Sequence, residues 1–191
     1  MNTPAHLIFG MAAFAKRDQP KVTAAALAGA LIPDLSLYLM AGVSLFVLQI
    51  DPNVVFGKLY FSDAWQAVFR VDNSSVVWGV LLAIALWRRT VWGIALTGAA
   101  LLHIGSDFPL HHDDGRAHFW PLTSWIFESP VSYWDRGHHA RIVAPIEITL
   151  SLLFCLVLFR RLRSVWERAL VVSLGLAEVA PGFIWLFVFA R

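Results

Sequence analysis

Residues 103–118 read His-Ile-Gly-Ser-Asp-Phe-Pro-Leu-His-His-Asp-Asp-Gly-Arg-Ala-His. Four of the seven histidines and three of the thirteen acids of the chain fall in these sixteen positions. Imidazole and carboxylate are the usual ligands of zinc and other first-row divalent ions. On a helix His103 and Asp107 stand one turn apart on one face, a ligand spacing, and His111 continues that face. His6, the Pro33-Asp34 step, Glu147 and Glu178 lie in otherwise apolar surroundings. Within lipid such groups are costly and mark function. Each also has a plain structural reading. A lone histidine can hydrogen-bond between helices. Asp34 can serve the backbone freed by Pro33, and Glu147, after Pro145, can sit at a helix start. Metal chemistry is the reading that accounts for the group together.

Those residues must be positioned by a membrane-embedded scaffold. Of 191 residues 58% are apolar and only 15% charged, with a mean hydropathy of +0.64. A soluble chain of this size is closer to half apolar and a quarter charged. The formal net charge is +2 with no basic stripe, which excludes nucleic acid as an expected partner and leaves membrane lipid. The one cysteine, Cys155, lies in an apolar run, so neither an internal disulfide nor a thiolate metal site is expected. Ala13-Phe14-Ala15 imitates a signal-peptide cleavage site. The basic residues Lys16, Arg17 and Lys21 follow the apolar run instead of preceding it, so the segment is expected to be retained.

The expected fold is an all-α polytopic bundle forming a single domain over 1–191. It has about five spanning helices plus a short N-terminal helix inserted partway. The short stretch runs from Thr3 to Ala15, too short to cross straight. The spans are read over Val22–Leu48, Ser75–Trp87, Val91–Leu110, Val143–Phe159 and Val165–Ala190. Nine of the fifteen basic residues then fall in three connections, around Lys16, Arg88 and Arg160, which the positive-inside rule places in the cytoplasm. The segments 49–74 and 111–141 face the other side.

This topology fixes depths. His6 and Asp34 are equally far from the turn near Pro20, so they should meet at one height. At 1.5 Å per residue Asp34 and His103 both stand about 18 Å above the cytoplasmic start of their helices, and Glu178 about 20 Å. Glu147 descends to a similar level. Asp113 to His118 instead form a rim outside the membrane. His111 at its edge, with Arg116 and His118, is suited to an anionic group, arginine by bidentate contact. Tyr133, Trp134, Arg136, His138 and His139 are placed to cover the opening.

His6, Pro33-Asp34, and His103 with Asp107 together resemble the membrane-bound metal-dependent hydrolase family, of the LexA-regulated bacterial inner-membrane type. The likeness spans roughly the first 120 residues. Two positions depart from the family pattern: Ser36 stands where a second Asp is common, and Asp72-Asn73-Ser74 where Thr-His-Ser is. The resemblance implies a compact helical domain in the bacterial inner membrane and a hydrolase activity. On that reading His6, Asp34, His103 and Asp107 hold a divalent ion such as zinc, and Glu147 or Glu178 is the general base. His111, Arg116 and His118 bind substrate, a lipid-linked or amphiphilic ester or phosphoester. Two alternatives use the same polar layer: a small ion or proton translocator, and a non-catalytic membrane protein. The apolar stretches Ala24–Leu31 and Trp92–Ala100 below the layer argue for access from one side only.

Overall fold

The computed structural model describes residues 1–184. Its elements are α1 (Thr3–Phe14), α2 (Pro20–Gly42), the single turn α3 (Pro52–Val54), α4 (Asp63–Asp72), α5 (Ser75–Trp87), α6 (Val91–Asp107), α7 (Ala140–Arg161) and α8 (Val165–Ile184). Among the described residues there are no strands. Helix starts follow the local sequence. Proline opens α2 and lies in the first turn of α1, where its missing N–H costs nothing. The hydroxyls of Ser62 and Ser74 accept from the Trp65 and Val77 amides at 3.4 and 3.0 Å, capping α4 and α5.

Four helices are long and apolar enough to cross a membrane: Pro20–Val47, Asp63–Trp87, Val91–Leu110 and Ala140–Arg161. The expected count of about five is corrected to four among the described residues. The remaining stretch is helical over Val165–Ile184 but carries Glu167, Arg168 and Glu178, and its end at Ala190 lies outside the described residues. Much of the expected outer loop 49–74 is helical. The Ser62 cap lets α4 precede α5, so the third span is longer than Ser75–Trp87 alone.

The bundle is organised around α1 and α6. The Val91–Leu110 span is 50% buried, against 17–22% for the other three, so α6 is the internal wall and the others face outward. Phe46, Val80, Trp87 and Val157 are among the exposed apolar side chains of that outward surface. Helix α1 packs on α7 and α8 through Ile8, Met11, Leu158 and Val171. Arg161 donates to the Met11 and Ala12 carbonyls at 2.7 and 2.9 Å, closing the C-terminal end of α1 with a cation. On the opposite side α1, α2 and α6 approach through small residues. A Cβ added at Gly29 would lie 1.9 Å from the Leu96 carbonyl oxygen, and one at Gly98 only 2.5 Å from the Phe14 ring. Backbones this close place residues of α2 and α6 within side-chain reach one or two turns higher.

Candidate metal centre

Asp107, at the last turn of α6, is the hub of the polar layer. Its Oδ1 accepts from the Met1 amino group and lies 2.9 Å from His6 Nε2. Its Oδ2 lies 3.4 Å from both His103 Nε2 and His111 Nε2. The imidazoles of His6 and His103 stack at 3.6 Å with 11° between planes. Both are 1% exposed. His103 Nδ1 donates to the Ala30 carbonyl at 2.6 Å, which in the neutral imidazole leaves the lone pair on Nε2. That atom is buried without a hydrogen-bond partner and faces Asp107 and, at 3.7 Å, Asp34 Oδ1. His6 Nδ1 faces Ser106 Oγ at 3.4 Å, and Ser106 donates to the His103 carbonyl at 2.9 Å. Anchoring one ring nitrogen so that the other aims at a common point is the usual support of a metal-ligating histidine.

His6, His103 and Asp107 each offer a ligand atom, and these atoms lie within 4.8 Å of one another, so the group could hold a metal ion. Two tetrahedral ligands at about 2.1 Å from zinc are about 3.4 Å apart; His103 Nε2 lies at that distance from Asp107 Oδ2, while His6 Nε2 is hydrogen-bonded to the other oxygen, Oδ1, at 2.9 Å. Asp34 borders the group, its Oδ2 accepting from Thr3 Oγ1 at 2.7 Å.

Above the cluster lies a cavity of about 170 Å³. Asp34, Asp107, His111, Asp114, Arg116 and His118 line it with Tyr38, Tyr60, Asn73 and Tyr133. Burial opposes a charge on His111, but contacts with Asp107 and Asp114 outweigh it and bring its pKa up to about 9. The His111 Nδ1 to Asp114 Oδ1 contact is 2.8 Å, off the hydrogen-bonding line. Burial pushes the Tyr60 hydroxyl up to about 12 and raises Tyr133 as well. Arg116 is buried with its guanidinium 4.7 Å from the Tyr60 ring and 4.1 Å from the Phe69 ring, and it donates to the Tyr60 hydroxyl. Among the described residues no carboxylate forms an ion pair with it. His118 Nδ1 donates to the Asn73 carbonyl at 3.0 Å, tying the rim to the α4–α5 junction.

The second aromatic cluster meets the same rim. Tyr133 lines the cavity, Trp134 Nε1 donates to Asp114 Oδ2 at 3.1 Å, and His138 stacks on His112 at 3.5 Å. Glu147 and Glu178 are buried at 3% and 1% exposure but do not line the cavity. They lie where α7 and α8 meet α1, and Glu147 Oε1 accepts from the Asn2 amide at 2.6 Å. Sequence reasoning missed Thr3, Tyr38, Tyr60 and Asn73. Tyr38 had a signal, one turn after Asp34 on the same face; the others reach the cavity only through the fold.

The fold and this cluster define a helical membrane protein with a candidate metal site. No family model, curated protein or solved structure matches the chain.

Proposed function

We propose that the chain is a metal-dependent hydrolase of the membrane-bound family it resembles, acting at the outer half of the bacterial inner membrane on a lipid-linked or amphiphilic phosphoester. The observation that carries this reading is His103. Its Nδ1 is locked to Ala30, and its Nε2 is buried, unpartnered and aimed at two carboxylates beside a stacked second imidazole. The Met1 ammonium sits on the other oxygen of Asp107, and a cation held between Nε2 and the two carboxylates would complete the charge balance on this side. Zinc fits the imidazole–carboxylate set.

A divalent ion there supplies Lewis acidity and acidifies water toward neutral pH. The chain's own residues do the rest. Asp34, at the edge of the cluster, completes the ligand set. Arg116, held against the Tyr60 and Phe69 rings and without a carboxylate partner among the described residues, takes the phosphoryl oxygens. His111 stands between Asp107 and Asp114, placed to pass a proton between cluster and cavity. The cavity is too small for a whole lipid, so the head enters while the apolar part stays at the interface.

The close packing of α1, α2 and α6 beneath the layer supports this over translocation. Ala26, Ala30, Ala99 and Ala100 are fully buried there and face the seam with methyl groups. The test is metal analysis of protein purified in detergent without chelator, repeated with His103→Ala. The expected result is about one equivalent of zinc-class metal, lost in the variant. Wild-type protein without stoichiometric metal overturns the proposal.

A further inference from the structure

The buried carboxylates that the cavity does not use form a second arrangement. Glu147 Oε2 and both oxygens of Glu178 are buried without a hydrogen-bond partner. The two side chains face each other closely enough to interact, and Glu178 approaches the Asn2 side chain and Ala5 amide without a well-formed bond. Among the described residues neither carboxylate pairs with a Lys, Arg or His side chain. The Met1 amino group acts on Glu147 but is bonded to Asp107.

A further buried oxygen lies on the same face of α7. Ser151 lies one turn beyond Glu147 on α7, on the buried stripe Glu147, Ser151, Cys155, Leu158. Its hydroxyl is fully buried and also unpartnered. Cys155 Sγ meets the Val171 carbonyl at 3.6 Å and lies 3.3 Å from a Cβ built at Gly175. That antiparallel register puts Ser151 level with Glu178.

We propose that Glu147, Glu178 and Ser151 hold a second cation, of the hard oxygen-seeking class of Mg²⁺ and Mn²⁺, across α1 from the imidazole cluster. Two buried carboxylates without a basic partner need a positive charge. One shared proton satisfies a single oxygen–oxygen contact and leaves the remaining oxygens bare. A cation with several oxygen ligands satisfies them together. The donors are oxygen alone, so this site selects a different metal from the histidine cluster.

The probe is Mn²⁺ alone, titrated by electron paramagnetic resonance into full-length detergent-purified protein carrying His103→Ala, which removes the imidazole site. One equivalent is expected to bind. Adding Glu178→Gln or Glu147→Gln, both near-isosteric, should weaken it at least tenfold, and Ser151→Ala severalfold. Unchanged Mn²⁺ binding in both glutamine variants overturns the proposal. Infrared spectroscopy of the wild-type protein gives an outcome that needs no variant to fold. A protonated carboxyl band that persists at saturating Mn²⁺ and neutral pH means that the pair holds a proton, and the proposal fails.

Discussion

Replacing Gly29 by alanine tests whether helix packing sets the candidate metal centre. The added Cβ would lie 1.9 Å from the Leu96 carbonyl oxygen, 2.7 Å from its carbonyl carbon and 3.0 Å from its Cα. All three are backbone atoms of α6, so no side-chain rotation relieves the overlap. Returning to ordinary contact near 3.4 Å requires α2 and α6 to part by about 1.5 Å, the difference between 3.4 and 1.9 Å. Overpacking of this kind costs about 1–3 kcal/mol. The next residue, Ala30, accepts the 2.6 Å bond that orients His103. A separation of that size breaks the bond, and the loss of such support costs about 10–100-fold in metal affinity. Gly105→Ala is the control: it lies on α6 itself, with open space around the new Cβ. Thermal unfolding in detergent and zinc titration against a competing chelator read both effects. Gly29→Ala should lower both the unfolding temperature and zinc affinity, and Gly105→Ala neither. A Gly29→Ala protein that is destabilised yet binds zinc with wild-type affinity would refute the coupling.

Other consequences are open to test. Arg116→Lys keeps the charge but loses the guanidinium contacts with the Tyr60 and Phe69 rings and the forked donors; affinity for a phosphate-bearing amphiphile, measured by calorimetry, should fall about 10–100-fold. Burial holds the His118 pKa below its usual 6.5, and the bond to Asn73 only partly offsets this. The unfolded chain then takes up this proton first, so stability is full above about pH 6.5 and falls as pH drops toward the folded pKa, by at most about 1.4 kcal/mol per unit. His118→Gln should flatten that slope in denaturation measured across pH 5–7, and an unchanged slope assigns it elsewhere. Single cysteines on a Cys155→Ser background test the orientation. Positions 18 and 163 should react with an impermeant thiol reagent only after the cells are opened, and position 123 in intact cells. The reverse pattern inverts the topology.

The depth of the polar layer was legible in the sequence because helical rise is constant. Counting from the turn near Pro20 and from the start of α6 brings His6, Asp34, His103 and Asp107 together, and they meet. Counting gives height but not azimuth. It therefore grouped Glu147 and Glu178 with the histidines, whereas both lie on helices packed against α1 and neither lines the cavity. The hydropathy of 49–74 hid α4, a helix capped by Ser62 whose apolar residues are interleaved with polar ones. Tyr60 and Asn73 reach the cavity through contacts distant in sequence, to Asp114 and Pro33, which no local pattern encodes. The anchoring of His103 by a backbone carbonyl was likewise invisible, since any residue at position 30 has that carbonyl.

The small-residue seam among α1, α2 and α6 divides the molecule by how freely it can change. Gly10, Gly29 and Gly98 each stand where a single added carbon collides with a neighbouring helix. Here the three helices that carry His6, Asp34, His103 and Asp107 tolerate almost no growth of a side chain. In the rim segment from His111 to His139 the tightest glycine is Gly115, whose added Cβ would lie 3.0 Å from Ile126 and from the Phe127 carbonyl oxygen, within the rim itself. The rim is joined to the helices by bonds such as Ser75 N–H to the His118 carbonyl and Tyr133 N–H to the Leu110 carbonyl. A saturation library should therefore accept many substitutions in the rim and few in the seam, leaving the candidate metal cluster unchanged on a core that admits little variation.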